Sequence, residues 1–253
     1  MSWPRKLPTS SGAHIRSSWR ILPRSPRSES RRSGERRAAE VRASNYQHKR
    51  SSTMSYAIIG FGAVGQALAR AFSRKNIEVS VASRRPPEAL APQARAIGPQ
   101  VVAKPLQEAI KADIIFLAVP FWEHQAVAKA LGNWKGKTIV DTTNAFRVAV
   151  ADLDGLPSSV VVARAFAGAK FVKGFNHLPA AILGADPQVE GGRRVVFLSS
   201  DNEGDAAPVT ALAKQLGFAP IQLGKLDEGG RLVQARGDIW TQLIFQDLFK
   251  KEE

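Results

Sequence analysis

Ser55-Tyr-Ala-Ile-Ile-Gly-Phe-Gly-Ala-Val-Gly65, continuing into Gln66-Ala-Leu-Ala-Arg-Ala-Phe72, is the stretch on which the fold turns. A short apolar strand runs into three glycines, Gly60, Gly62 and Gly65, spaced G-x-G-x-x-G, and good helix formers begin directly behind them. Each glycine has its own reason. Gly60 permits the tight turn out of the strand, Gly62 has no Cβ to obstruct a pyrophosphate, and Gly65 lets the helix lie close on the sheet. Ala63 and Val64 open that helix, whose free N–H groups and positive dipole end suit a phosphate. Glycine turns alone are common, but a strand before and a helix after make this one a dinucleotide-binding turn.

The next strand selects the nucleotide. Ile77-Glu-Val-Ser-Val-Ala82 alternates and is β-branched, and the ribose 2′ position of a bound dinucleotide lies at the end of such a strand. A site for NAD places a carboxylate there to accept from the 2′-hydroxyl. This chain has Ser83-Arg84-Arg85. A carboxylate would repel a 2′-phosphate, whereas a hydroxyl and guanidinium groups bind one through charge-assisted hydrogen bonds. The residues therefore favour NADP(H), the plainer alternative being two solvated arginines in a turn before Pro86-Pro87.

Further alternation of strand and helix follows. Helices are expected at 88–97, 105–111, 123–131, 156–169, 203–216 and 230–250, and strands at 101–103, 113–119, 138–141, 171–175, 194–199 and 218–223. The strand at 113–119 is apolar throughout, as suits a central parallel strand covered on both faces. The fold class is α/β: a Rossmann-type doubly wound parallel sheet with a smaller C-terminal α/β extension. Three parts are expected: a disordered basic tail at 1–53, an NADP-binding Rossmann domain at 54–155, and a smaller C-terminal domain at 156–253. Ligands gather at the carboxyl ends of such strands, so Val119, Pro120 and Phe121 should line the nicotinamide half of the site. Asn144, in Asp141-Thr-Thr-Asn144, can bond the carboxamide or ribose there, although turn chemistry alone also favours it.

Composition narrows the function classes. Of the 36 Lys+Arg and 22 Asp+Glu, residues 1–53 hold 13 and 3, leaving 23 and 19 for the rest. The basic character thus belongs to the Arg-, Ser- and Pro-rich tail, and no nucleic-acid partner is expected of the folded part. The tail reads as a transit peptide, an arm for an anionic partner, or sequence upstream of a true start at Met54. The chain has no cysteine, and its longest apolar run, Ile114 to Trp122, contains Pro120. We therefore expect neither disulfides nor a membrane span, and a soluble, cytoplasmic protein.

No G-x-S-x-G, H-E-x-x-H or Walker lysine is present, and no metal site is expected. Neither Tyr46 nor Tyr56 has a lysine four residues on, so the pair used by short-chain dehydrogenases is missing. His14 and His48 lie in the tail, and His124 is expected to cap its helix or face solvent. His177, in the loop Asn176-His177-Leu178-Pro179, is the candidate acid, though a lone loop histidine is more often structural. Hydride transfer between two cofactors scarcely needs an acid, because the chemistry belongs to the bound rings. An NADP-binding sensor or regulator without turnover is the competing class.

Taken together, Ile59-Gly-Phe-Gly-Ala-Val-Gly65, Ser83-Arg84-Arg85, Ala118-Val-Pro-Phe121, Asp141-Thr-Thr-Asn144 and Val172-Lys-Gly-Phe-Asn-His177 resemble the NADPH-dependent F420 reductase family. Its members pass hydride between NADP and a 5-deazaflavin coenzyme, and the cytosolic domains of membrane metalloreductases are related to it. The resemblance covers residues 55–249. It implies a homodimer, NADP(H) held at its pyrophosphate by Gly62, Ala63 and Val64 and at its 2′-phosphate by Ser83 and Arg84, and a nicotinamide near Val119 and Pro120. It further implies that the Phe175-Asn176 step faces a second substrate, coenzyme F420 or a flavin, which makes Asn176 a catalytic candidate beside His177. Lys173-Gly174-Phe175-Asn176 departs from the family's lysine-alanine-phenylalanine-asparagine, and His177 stands where a threonine is usual.

Overall fold

Side chains alternate across a strand, so a strand apolar at every position must be covered on both faces. That condition organises this chain, whose computed structural model describes residues 54–146, 148–235 and 249–251. Strands β1 (Tyr56–Ile59), β2 (Val79–Ala82), β3 (Val101–Ala103), β4 (Ile114–Leu117), β5 (Thr138–Asp141) and β6 (Lys170–Gly174) lie parallel in the order β3-β2-β1-β4-β5-β6. This is the doubly wound order, whose direction reverses between β1 and β4 and opens a crevice at their carboxyl ends.

Ile58, Phe116, Val140 and Val172 point to one face of the sheet. There they meet α1 (Ala63–Arg74), α2 (Pro87–Ile97), Leu183 of α6 (Ala180–Gly184) and α7 (Glu203–Gln215). Ala57, Ile59, Ile115, Leu117 and Ile139 point to the other. They pack on residues of α3 (Leu106–Ala109), α4 (His124–Ala128) and α5 (Ser158–Ala165), with Trp134 and Phe166 completing the layer. A row of aromatic rings, Tyr56, Phe72, Phe116, Phe175 and Phe218, runs through the first core with neighbouring centroids 5.4 to 5.9 Å apart. Tilted and edge-on pairs of this kind add to the stabilisation from burial alone.

The sheet runs on past residue 155. β8 (Gly192–Ser199) lies antiparallel to β6, with Lys173 opposite Ser199. β9 (Ala219–Gln222) pairs parallel with β8, and β7 (Gln188–Val189) pairs antiparallel with it. A short helix α8 (Gly229–Leu232) follows. The terminal helix expected over 230–250 is corrected at both described ends. α8 stops at Leu232, and Phe249–Lys251 form β10, antiparallel to β8 from Arg194 to Gly192. The open edge of β8 offers unpaired backbone groups that a strand can satisfy, and that tertiary demand overrides helical composition. The intervening part of that expected helix lies outside the described residues. Among the described residues no helix is long and apolar enough to cross a membrane.

Candidate functional site

The glycine turn is the most constrained backbone at the crevice. Gly60 sits at φ +101°, where a Cβ would lie 2.2 Å from the Ala118 carbonyl oxygen at the end of β4. Its N–H donates to the Ala82 carbonyl at 2.8 Å, tying the turn to β2 as well. A Cβ on Gly65 would meet the Gly60 oxygen at 2.0 Å, so α1 approaches the strand as closely as two backbones can. Gly62 is different. It caps α1, is exposed, and has no atom within 4 Å of where a Cβ would stand. The fold does not require glycine at 62, so open space above it is what a side chain would fill. Among the described residues no side chain caps α1, and no acid lies in its first turn, which leaves the N–H groups around Ala63 and Val64 to an outside acceptor.

From this turn a cleft of about 410 Å³ extends over the carboxyl ends of β1, β2 and β4. It brings together Gly60, Gly62, Ser83, Arg84, Arg85, Val119 and Pro120. Leu106, Ala126 and Val127 form its apolar wall. The Ser83 hydroxyl accepts the Arg85 N–H at 3.0 Å, a local turn that presents both arginines at the end of β2. Arg84 reaches across to Glu123, Nη1 to Oε1 2.9 Å. Phe121 does not line this cleft. It is buried in the second core, beside the His124 ring. A larger groove, about 530 Å³, lies between α4 and α5 and shares no residue with the glycine turn.

Beside the cleft, the ends of β5 and β6 carry a buried polar layer. Asp141 and Lys173 are opposite in the parallel register and both are 0 % exposed. Lys173 Nζ donates to Asp141 Oδ2 at 3.0 Å and to the Thr143 carbonyl, while Asp141 Oδ1 accepts the Thr143 N–H at 2.8 Å. The pair therefore clamps the backbone that leads to Asn144. Two residues on, Phe175 is held at φ +61°, an uncommon conformation for a non-glycine residue, with its ring packed between Phe116 and Phe218. That turn delivers Asn176 to Asn144. Asn144 Nδ2 donates to the Asn176 carbonyl at 2.8 Å, and Asn176 Nδ2 donates to Asn144 Oδ1 at 3.0 Å and to the Val233 carbonyl at 2.8 Å. Asn176 Oδ1 is buried and has no hydrogen-bond partner among the described residues. At Gly174 a Cβ would come within 2.5 Å of Leu198 Cδ2, so the Leu198 side chain occupies the space an alanine would need.

His177 is buried against Phe197, ring centroids 4.8 Å apart. Burial lowers its pKa to about 4, and a hydrogen bond to the Val195 backbone offsets that only in part. Neutral near pH 7, it holds no proton to deliver as an imidazolium. Of the two expectations for His124, a helix cap or a solvent-facing residue, the second is corrected. The residue is 3 % exposed, and its Nδ1–H donates to the Phe121 carbonyl within the turn that opens α4. The aromatic turn Phe121–Glu123 folds back on the second core and takes the imidazole with it. Glu123 and the wall residues Ala126 and Val127 went unread in the sequence. Their i, i+3, i+4 spacing was the available signal, since it sets all three on one helical face.

Comparison with known proteins agrees with this fold. Residues 55–145 match the model of the family described as NADP oxidoreductase, coenzyme F420-dependent. The crystal structure of a hypothetical protein from Sinorhizobium meliloti is similar at 36% identity, with 80% of this chain and 98% of that one covered and a TM-score of 0.72. A putative F420-dependent NADP reductase from an Arthrobacter species is 26% identical, covering 69% of this chain and 86% of its own, with a TM-score of 0.58. Mouse metalloreductase STEAP2 is 29% identical over 182 residues, which are 70% of this chain and 35% of the relative. The chain thus spans about a third of the length of that curated relative. Residues 55–145, which hold the glycine turn and strands β1 to β5, thus belong to the coenzyme F420-dependent NADP oxidoreductase family.

Proposed function

We propose that the chain is an enzyme that transfers hydride between NADP(H) and a flat tricyclic acceptor, coenzyme F420 or a flavin. The observation that carries the reading is the cleft from Gly62 to Ser83-Arg84-Arg85, which has no acid at the end of β2. These residues fit NADP(H). The open space over Gly62 and the uncapped first turn of α1, with Ala63 and Val64, receive the pyrophosphate. Ser83, Arg84 and Arg85 bind the 2′-phosphate. Val119 and Pro120 lead toward the nicotinamide, and Phe121, buried behind them, backs that wall.

When bound, the nicotinamide supplies the hydride at C4. The protein's own part is orientation and exclusion of water. Asn144 and Asn176 lock each other at the ends of β5 and β6, which fixes the backbone beside the nicotinamide end of the cleft. The Lys173–Asp141 clamp fixes the loop from which Asn144 projects. We assign no proton transfer to His177, whose burial keeps it neutral. Residues 54–155 would carry the nucleotide and residues 156–253 the ring-facing part, in a homodimer.

NADPH oxidation by purified protein with F420, FMN, FAD and ferric chelates tests the reading. Turnover with at least one tricyclic ring is expected. Tight NADPH binding without oxidation by any of them would leave the sensor class instead. Light scattering at assay concentration tests the dimer, and a monomer would remove that part.

A further inference from the structure

We propose that Glu123 is a specificity-determining residue of the cleft: its carboxylate competes with the 2′-phosphate of NADPH for the Arg84 guanidinium. This rests on reading the cleft as an NADP site. Arg84 rises from the end of β2 and Glu123 from the turn after β4, and β1 lies between those strands. Their 2.9 Å contact therefore spans the cleft above the glycine turn, and both residues line it. The two partners are unequally placed. The Glu123 side chain is 21 % exposed and sunk in the wall, whereas that of Arg84 is 85 % exposed. A pair with one partner so solvated holds weakly, so a doubly charged phosphate can take the guanidinium away.

Taking it has a consequence for affinity. Once Arg84 turns to the phosphate, the Glu123 carboxylate remains in the same cleft as an anion with no counterion, close enough to oppose the phosphate charge. Among the described residues Arg85 makes no ion pair, so its guanidinium is available to the phosphate from the outset. The nucleotide thus meets one cation that is free and one that must be won from Glu123. A cleft built this way discriminates for NADPH while holding it less tightly than two unopposed arginines would, which favours exchange of the nucleotide between turnovers. NADH, with a 2′-hydroxyl, gains little from freeing Arg84 and is nearly indifferent to Glu123.

Dissociation constants for NADPH and NADH, measured by fluorescence titration on wild type, Glu123→Gln, Arg84→Ala and the double variant, test this. Glu123→Gln should tighten NADPH about three- to tenfold, change NADH less than about twofold, and lose its advantage as salt is raised. The gain should vanish in the Arg84→Ala background. Weaker NADPH binding by Glu123→Gln, or equal changes for both nucleotides, would overturn the proposal and make Glu123 a wall residue. Wild type that does not prefer NADPH would instead overturn the NADP reading of the cleft. A wild-type preference left unchanged by Glu123→Gln refutes the competition alone. Melting curves of each variant separate loss of binding from loss of fold.

Discussion

Replacing Lys173 by Met removes one end of an ion pair that no water reaches. Lys173 and Asp141 are both 0 % exposed and 3.0 Å apart, and Lys173 also supplies a donor to the Thr143 carbonyl. The methionine fills similar volume, so packing changes little. What changes is that the Asp141 carboxylate loses its counterion inside the core and the Thr143 carbonyl loses its donor. Breaking a buried pair from one side costs about 3–5 kcal/mol, far more than the pair is worth against an apolar replacement of both partners. For a folded unit of this size each kcal/mol moves the melting temperature by roughly 2–4 °C, so Lys173→Met should melt about 6–20 °C lower. Asp141→Asn/Lys173→Met should recover much of the loss, because the uncompensated charge is gone. Calorimetry or urea titration at pH 7 measures both. A single variant within about 1 kcal/mol of wild type, or a double variant no more stable than the single, would refute the clamp and with it the reason given for the position of Asn144.

Gly62→Ala should keep wild-type stability to within about 1 kcal/mol, since a Cβ there meets nothing, yet weaken NADPH at least tenfold in titration. Gly60→Ala, at φ +101° and 2.2 Å from the Ala118 oxygen, should lower the melting temperature sharply before any binding can be measured. His177 carries a pH dependence. Its folded pKa of about 4 lies below the unfolded 6.5, so the unfolded chain binds the extra proton first, and stability complete above pH 6.5 falls toward pH 4 by about 3 kcal/mol. His177→Phe should flatten that slope in urea titrations between those pH values, and an unchanged slope would move the dependence to another group.

The glycine turn, its flanking strand and helix, the absence of an acid after β2 and the alternation of elements as far as β6 were all legible in the sequence. They rest on local chemistry: which residue tolerates a positive φ, which pattern covers both faces of a strand, which charge a phosphate accepts. The remainder is set by groups far apart along the chain. Arg84 and Glu123 are 39 residues apart, and Asp141 and Lys173 are 32 apart. Neither pairing follows from spacing, because parallel register alone brings the ends of β5 and β6 level and the reversal between β1 and β4 alone sets two walls across one crevice. The same holds for His124, polar in sequence but carried into the core by its turn, and for Phe249–Lys251, helical in composition but claimed by the free edge of β8. Local preference amounts to a few tenths of a kcal/mol per residue, and an unsatisfied buried polar group or an open strand edge outweighs it. Sequence therefore determined which nucleotide chemistry this crevice can host, and tertiary structure decided which charges face one another across it.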